Sequence, residues 1–323
     1  MLMNRLLEEW MAFQSSRGRS PTTLHGYENI IEQHLAPTIG SIPIGKLSAH
    51  HLDTLYAERI RSGKSARTVR NIHNVISASL NQAVRWSWLE RNIAEKATLP
   101  TVSPTRVIAP SVTQTRQIIE ACQSHDEKLG AFVFLAAVTG CRRGEIAALR
   151  WSSLVDGAIV IRGSVYSISG EQGIKSTKSG RERIVQIDPE VVAWLERWRK
   201  RCSALADDWG VTLDVDGYII SSRPDGSRFV ELDSISHAVR RITKTLGLPE
   251  VHLHSLRHFA ATELIGSGVS ARDTAEMLGH ADPALTLRVY SHANVERQRA
   301  AAAILSTALT PPVDRKGESM RKL

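Results

Sequence analysis

Residues 252–292 read HLHSLRHFAATELIGSGVSARDTAEMLGHADPALTLRVYSH, and they gather His254, Arg257, His280 and Tyr290 into one short region. Positions 254 and 257 are one helical turn apart, so both side chains leave the same face of a helix. Gly266 and Gly268 interrupt that helix, and Ser270 supplies the cap of a new one running to Leu278. Gly279 ends it and sets His280 on the following turn. Pro283 suits the first turn of a further short helix with Tyr290 near its end. Singly, each residue has an ordinary structural use: a packed tyrosine, a hydrogen-bonded histidine, a solvated arginine. Jointly, an imidazole beside an arginine, a second imidazole on a turn and a nearby tyrosine suit phosphoryl transfer to a phenol.

The remaining chain decides between those readings. Its 323 residues suffice for two domains, and 42% hydrophobic residues suffice for their cores. A net charge of +8 points to a polyanionic partner, nucleic acid before an anionic membrane. No apolar run reaches membrane-spanning length, and MLMNRLLEEWMAF lacks the plan of a signal peptide. Cys122, Cys141 and Cys202 are odd in number and widely spaced, which suggests neither a disulfide framework nor a zinc site and fits a reducing cytoplasm.

The first 95 residues read as helices: Leu2 to Phe13, a segment from Ser20-Pro21 to Leu35, Ser48 to Ile60, and a longer one from Ala66 to Trp86 capped by Ser65. Val69, Ile72, Val75, Ile76, Leu80 and Ala83 form the apolar stripe of the last. Arg59, Arg61, Lys64, Arg67 and Arg70 cluster around a helix N-terminus that itself favours phosphate, so this face is a candidate DNA contact; a merely solvated basic face is the alternative. Residues 96–110 hold three prolines and no helical stripe, as expected of a linker that lets two basic domains close on a duplex. Residues 111–309 form the second domain, and residues 310–323 a polar tail.

Within the second domain, helices are expected near Thr113 to Cys122 and Leu129 to Thr139. In TGCRRGE, Gly140 ends the latter and Arg142 stands on the turn before a helix containing Glu145, Ile146 and Leu149. Strand-like runs at 158–162 and 183–187 flank GIKSTKSGRERI, whose basic tip carries Lys175, Lys178 and Arg181 as candidate groove contacts. Further helices follow at Pro189 to Ala206, with Trp194 and Trp198 as packing residues, and at Asp233 to Leu246, separated by a strand-like YII at 218–220. An alanine-rich helix is expected from Val295 to Leu309.

In this order and spacing the segments TGCRRGE, KSGRERIVQI, HSLRH, LGH and VYSH resemble the boxes of the tyrosine recombinases, or phage-type integrases. The resemblance implies a mainly α fold with a small antiparallel sheet, built from a helical, SAM-like core-binding domain and a catalytic domain. It puts the catalytic set at Arg142, Lys178, His254, Arg257, His280 and Tyr290. Arg143 rivals Arg142, and Lys175 rivals Lys178; the family patterns favour Arg142 and Lys178. The implied enzyme is a site-specific DNA recombinase of mobile elements that cleaves and rejoins duplex DNA through a 3′-phosphotyrosyl link, with neither cofactor nor metal. Double-stranded DNA is the expected partner, with a monomer when free, a homotetramer on DNA, accessory DNA-bending or directionality proteins, and a cytoplasmic, nucleoid-associated location. The chain begins almost at the core-binding domain, so an additional N-terminal arm-site domain is not expected. A type IB topoisomerase shares this chemistry but would act as a monomer, and a non-catalytic DNA-binding protein could share the scaffold.

Overall fold

The computed structural model describes residues 1–103, 108–176 and 182–279. Four α-helices build the N-terminal part: α1 (Met3–Ser16), α2 (Pro21–Ile30), α3 (Ala49–Arg61) and α4 (Ala66–Arg85). Their apolar faces meet in one cluster, in which Met3, Leu6, Leu7 and Trp10 of α1 lie against the stripe Val69, Ile72, Val75, Ile76, Leu80 and Ala83. Ser65 caps α4 by accepting from Thr68 N at 3.1 Å, and Ser48 caps α3 by accepting from His51 N. The helix expected to reach Leu35 instead ends as α-helix at Ile30 and widens into a π-turn over Ile31–Leu35. That wider turn leaves Leu35 fully buried in the cluster.

A second, separate cluster runs from Ile118 to Leu256. It is built on α5 (Val112–His125) and α6 (Glu127–Thr139), of which α6 is apolar nearly all round and buried along its length. A one-turn helix, α7 (Arg143–Ala147), follows; Leu149 lies beyond its end but remains buried. Strands β1 (Leu154–Val155), β2 (Ala158–Ile161) and β5 (Arg183–Gln186) make an antiparallel sheet in the order β1-β2-β5, with Ile161 opposite Arg183. The two expected runs therefore pair with each other. Between them, however, lies a hairpin that the sequence reading missed, β3 (Gly163–Ile168) with β4 (Glu171–Ser176). Val165, Tyr166, Ile168 and Ile174 suit strands, but the glycines, serines, glutamate and glutamine around them obscure the pattern; Val165 is anchored in the core, and a tight turn with positive φ at Ser169 and Gly170 closes the ladder.

Helices α8 (Pro189–Asp208), α9 (Leu232–Thr245), α10 (Leu253–Gly266) and α11 (Ala271–Leu278) complete the described residues. Trp198 is buried and donates from its indole to Ile219 O at 2.8 Å, while Trp194 packs on the same cluster. The YII segment is no strand; Tyr218 forms an isolated bridge to Arg150, and Ile219 and Ile220 are core residues. Among the described residues no helix is long and apolar enough to cross a membrane. The fold is thus mainly α with small antiparallel sheets.

Candidate active site

The site grows from the end of α6. Gly140 closes that helix in the left-handed region, at φ 61°, where a β-carbon is strained. A β-carbon there would also lie 2.3 Å from Leu278 Cδ2 and 3.2 Å from Ala260 Cβ, so glycine is what allows α6, α10 and α11 to meet. The chain then turns and delivers Arg142 to the start of α7. Glu145, three residues on, reaches back: its carboxylate accepts from Arg142 N at 2.8 Å and from Arg142 Nη1 at 2.9 Å. The first contact is half of a capping box, and the second orients the guanidinium. The Glu145 side chain is only 7% exposed, so this is no solvated surface pair.

Arg142 Nη2 donates to Gly279 O at 2.8 Å, which ties the start of α7 to the end of α11. Arg143 turns the other way, donating to Ser236 Oγ at 2.7 Å and pairing with Asp233 on α9. The two adjacent arginines therefore have different surroundings, and only Arg142 faces the helix ends that carry the other candidate residues.

Arg257 on α10 is almost completely buried. Its Nη1 donates to Gly140 O at 2.8 Å, and its Nη2 has no hydrogen-bond partner among the described residues. Burial first, and then the charge of Arg142, pull its pKa down to about 10, which still leaves it charged at neutral pH. His254, one turn earlier, is open to solvent on one side. Its ring packs edge-on against His258 at 4.7 Å between centroids and lies 6.5 Å from His252. Desolvation by the surrounding protein, followed by the charges of Arg257, His252 and Arg142, lowers its pKa below the usual 6.5. A neutral imidazole at pH 7 follows, which is the form that accepts a proton.

Glu145 is held as a carboxylate in the same neighbourhood. Burial alone would raise its pKa, but Arg183 and then Arg142 outweigh that and leave it lowered. Arg183, the first residue of β5, donates to Glu145 Oε2 at 2.7 Å and to Leu278 O at 2.5 Å. From sequence alone Arg183 only opens a strand-like run, and Glu145 is a helix residue whose pairing with Arg142 would be an ordinary surface contact. The Arg-x-x-Glu spacing at a helix start was the available signal for Glu145; nothing in the sequence pairs residue 183 with residues 145 and 278.

Arg142, His254 and Arg257 are thus brought together, whereas Lys178, Arg181, His280 and Tyr290 lie outside the described residues. The basic residues of the N-terminal part line the α3–α4 corner: Arg61, Lys64, Arg67 and Arg70 are exposed and Arg59 is half-buried. Burial, with Arg59 and Lys64 nearby, pushes the His34 pKa down. Arg70 Nε also donates to Pro100 O at 3.3 Å. Lys175 on β4 is half-buried and donates to Thr22 Oγ1 of α2 at 3.1 Å, so it bridges the two parts of the chain.

Two arginines and an imidazole gathered at the junction of α6, α7, α10 and α11 suit the handling of a phosphodiester. Residues 111–297 match the model of the phage integrase family, and residues 3–58 match that family's N-terminal SAM-like domain; the chain belongs to the phage integrase family, the tyrosine recombinases. It is an enzyme of DNA strand cleavage and transfer. Among its relatives, a XerC-like tyrosine recombinase of Caldanaerobacter subterraneus subsp. tengcongensis is 23% identical over 89% of this chain and 78% of its own length. The ICEBs1 integrase of Bacillus subtilis is 24% identical over 90% of this chain and 78% of its own. The fold matches that of the Tn1549 transposon integrase in complex with transposon right end DNA, at a TM-score of 0.77 and 18% identity over 95% of this chain and 100% of that one. It also matches a lambda integrase from a tetramer bound to a Holliday junction, at 0.69 and 20% over 90% and 77%.

Proposed function

We propose that Arg142, Lys178, His254, Arg257, His280 and Tyr290 carry site-specific recombination in this chain. The observation that supports the reading best is the meeting of Arg142, Arg257 and a neutral His254 around Gly140 and Gly279, two positions that sequence distance keeps far apart. A phosphodiester resists attack because it is an anion with a poor leaving group. Arg142 and Arg257 donate to its non-bridging oxygens and stabilise the charge of the pentavalent transition state. The guanidinium fork suits two oxygens at once, which an ammonium does not.

His254 takes the proton of the Tyr290 hydroxyl, whose oxygen attacks phosphorus in line. Lys178 gives a proton to the departing 5′ oxygen, and His280 donates to a phosphate oxygen. The phosphorus–5′ oxygen bond breaks as the phosphorus–tyrosyl bond forms, leaving a 3′-phosphotyrosyl link and a free 5′ hydroxyl. A 5′ hydroxyl from a second duplex reverses the step and rejoins the strands, so no ATP is consumed.

Two duplexes require four protomers, so the working form is a homotetramer on DNA assembled from monomers, in the cytoplasm at the nucleoid, with accessory proteins setting direction. The linker at 96–110 joins a core-binding domain (1–95) to the catalytic domain (111–309) and lets them clamp the duplex. Arg59, Arg61, Lys64, Arg67, Arg70, Lys175 and Arg181 contact its backbone, with Lys175 leaving Thr22 for phosphate. The helix after Tyr290 docks on a neighbouring protomer, and the tail at 310–323 stays outside the catalytic domain. Trapping on a nicked suicide duplex tests the central claim. Wild type should become covalently attached to the 3′ phosphate and Tyr290→Phe should not; equal attachment by both rejects the assignment.

A further inference from the structure

Arg183 lies outside the six-residue catalytic set, yet its guanidinium bonds two distant segments of the site, Glu145 on α7 and Leu278 at the end of α11. Its guanidinium is the third side of a closed ring of hydrogen bonds. Arg183 Nη2 donates to Glu145 Oε2 at 2.7 Å, Glu145 Oε1 accepts from Arg142 Nη1 at 2.9 Å, and Arg142 Nη2 donates to Gly279 O at 2.8 Å. The ring closes through the backbone, because Arg183 Nη1 donates to Leu278 O, the carbonyl next to that of Gly279. Both carbonyls belong to the C-terminal end of α11, where such groups lack helical partners and favour cations.

The packing leaves this arrangement little freedom. The Arg183 side chain is 14% exposed. A β-carbon on Gly279 would lie 1.9 Å from Arg183 Nη1 and 2.9 Å from Cζ, so the turn is laid directly against the Arg183 side chain. Arg183 Nη2 also contacts Cys141 Sγ at 3.5 Å, beside the turn that presents Arg142. Three chain segments therefore converge on one side chain: β5, which begins five residues after Lys178; the α7 start, which carries Arg142; and the Leu278-Gly279 turn, which is followed by His280.

We propose that Arg183 is a positioning residue for strand cleavage, setting β5, the α7 start that carries Arg142 and the Leu278-Gly279 turn in register through Glu145 and the α11 carbonyls. The inference rests on the catalytic assignment above. Its contribution is geometric: an error of about 1 Å in a catalytic group costs about 100-fold in rate. Glu145 reaches Arg142 but not α11, and Arg142 reaches Gly279 O but not β5; Arg183 joins β5 to both Glu145 and Leu278 O.

The test compares the full-length wild type with Arg183→Met and Arg183→Lys on one nicked duplex carrying the core site mapped by sequencing recombination junctions. Anisotropy gives the affinity for that duplex, single-turnover trapping at saturating protein gives the cleavage rate, and near-ultraviolet circular dichroism gives the folded fraction at the assay temperature. Arg183→Met should bind within about threefold of wild type and cleave about 10- to 100-fold more slowly per folded, bound molecule. Arg183→Lys should fall between, because an ammonium retains the charge but does not bridge the carboxylate and the carbonyl together. Wild-type cleavage at saturation by Arg183→Met, or a loss that follows only affinity or folded fraction, overturns the proposal. If Arg183→Met does not fold, Arg183→Lys decides, and a wild-type rate from it is equally fatal. Failure of the wild type itself to attach to DNA would reject the catalytic assignment instead.

Discussion

Replacing Glu145 by glutamine keeps the shape of the side chain and removes its charge, and the consequences can be worked from its contacts. The carboxylate receives three donors, Arg142 N, Arg142 Nη1 and Arg183 Nη2, at 2.8, 2.9 and 2.7 Å. Glutamine offers one acceptor oxygen and turns an NH2 toward a guanidinium that has only donors. Arg142 is 46% exposed and can recover water, whereas Arg183 at 14% cannot. Stranding one partner of a buried pair costs roughly 3–5 kcal/mol, and the half-exposed Arg142 puts this case near the low end, at about 3 kcal/mol. With a urea dependence of about 2–3 kcal/mol per molar, the unfolding midpoint should fall by about 1 M at pH 7.

Acid should erase the difference. The folded-state pKa of Glu145 is depressed, so its contribution is fully present above its unfolded value near 4.5 and is lost as pH falls through the lower folded value. Below that point the protonated glutamate resembles glutamine. Urea titrations of both proteins from pH 7 to pH 3 measure this. Equal midpoints at pH 7, or a gap that persists undiminished in acid, would refute the buried-pair account.

Gly279→Ala and Gly268→Ala separate backbone strain from collision. Both positions have positive φ, 70° and 96°, and each should lose about 1–2 kcal/mol in denaturant titrations, but only residue 279 presses on Arg183. Cleavage of the nicked duplex should slow about tenfold or more in Gly279→Ala and stay within about threefold in Gly268→Ala. Because burial and the charges of Arg257, His252 and Arg142 lower the His254 pKa, the acid limb of the cleavage pH–rate profile should have its midpoint below 6.5, with a plateau above; a midpoint at or above 6.5 contradicts His254 as the base in this setting. Truncation after residue 293 should leave single-site DNA binding within about threefold and prevent tetramer formation on DNA, as read by light scattering; unchanged tetramers would show that the last helix serves its own protomer.

Much of this protein is written locally. Ser48, Ser65, Ser111 and Ser270 each cap the helix that follows, and Gly140 and Gly279 each end one in the left-handed region. These signals lie within a few residues of what they specify, so they can be read without a fold. The pairing of His254 with Arg257 was equally legible, because one helical turn sets both on one face, whereas Arg142 entered through the resemblance to the family boxes. Tertiary structure decided what sequence distance hides. It gave Arg142 and Arg143 different surroundings, the one bonded to Gly279 and the other to Asp233 and Ser236, partners roughly a hundred residues away. It formed the β3–β4 hairpin from a stretch whose strand formers, Val165, Tyr166, Ile168 and Ile174, are diluted by glycines and polar residues, with Val165 anchored in the core. It also joined Arg183 to Glu145 and Leu278, since hydrogen bonds and buried charge depend on distance in space, which no one-dimensional pattern records.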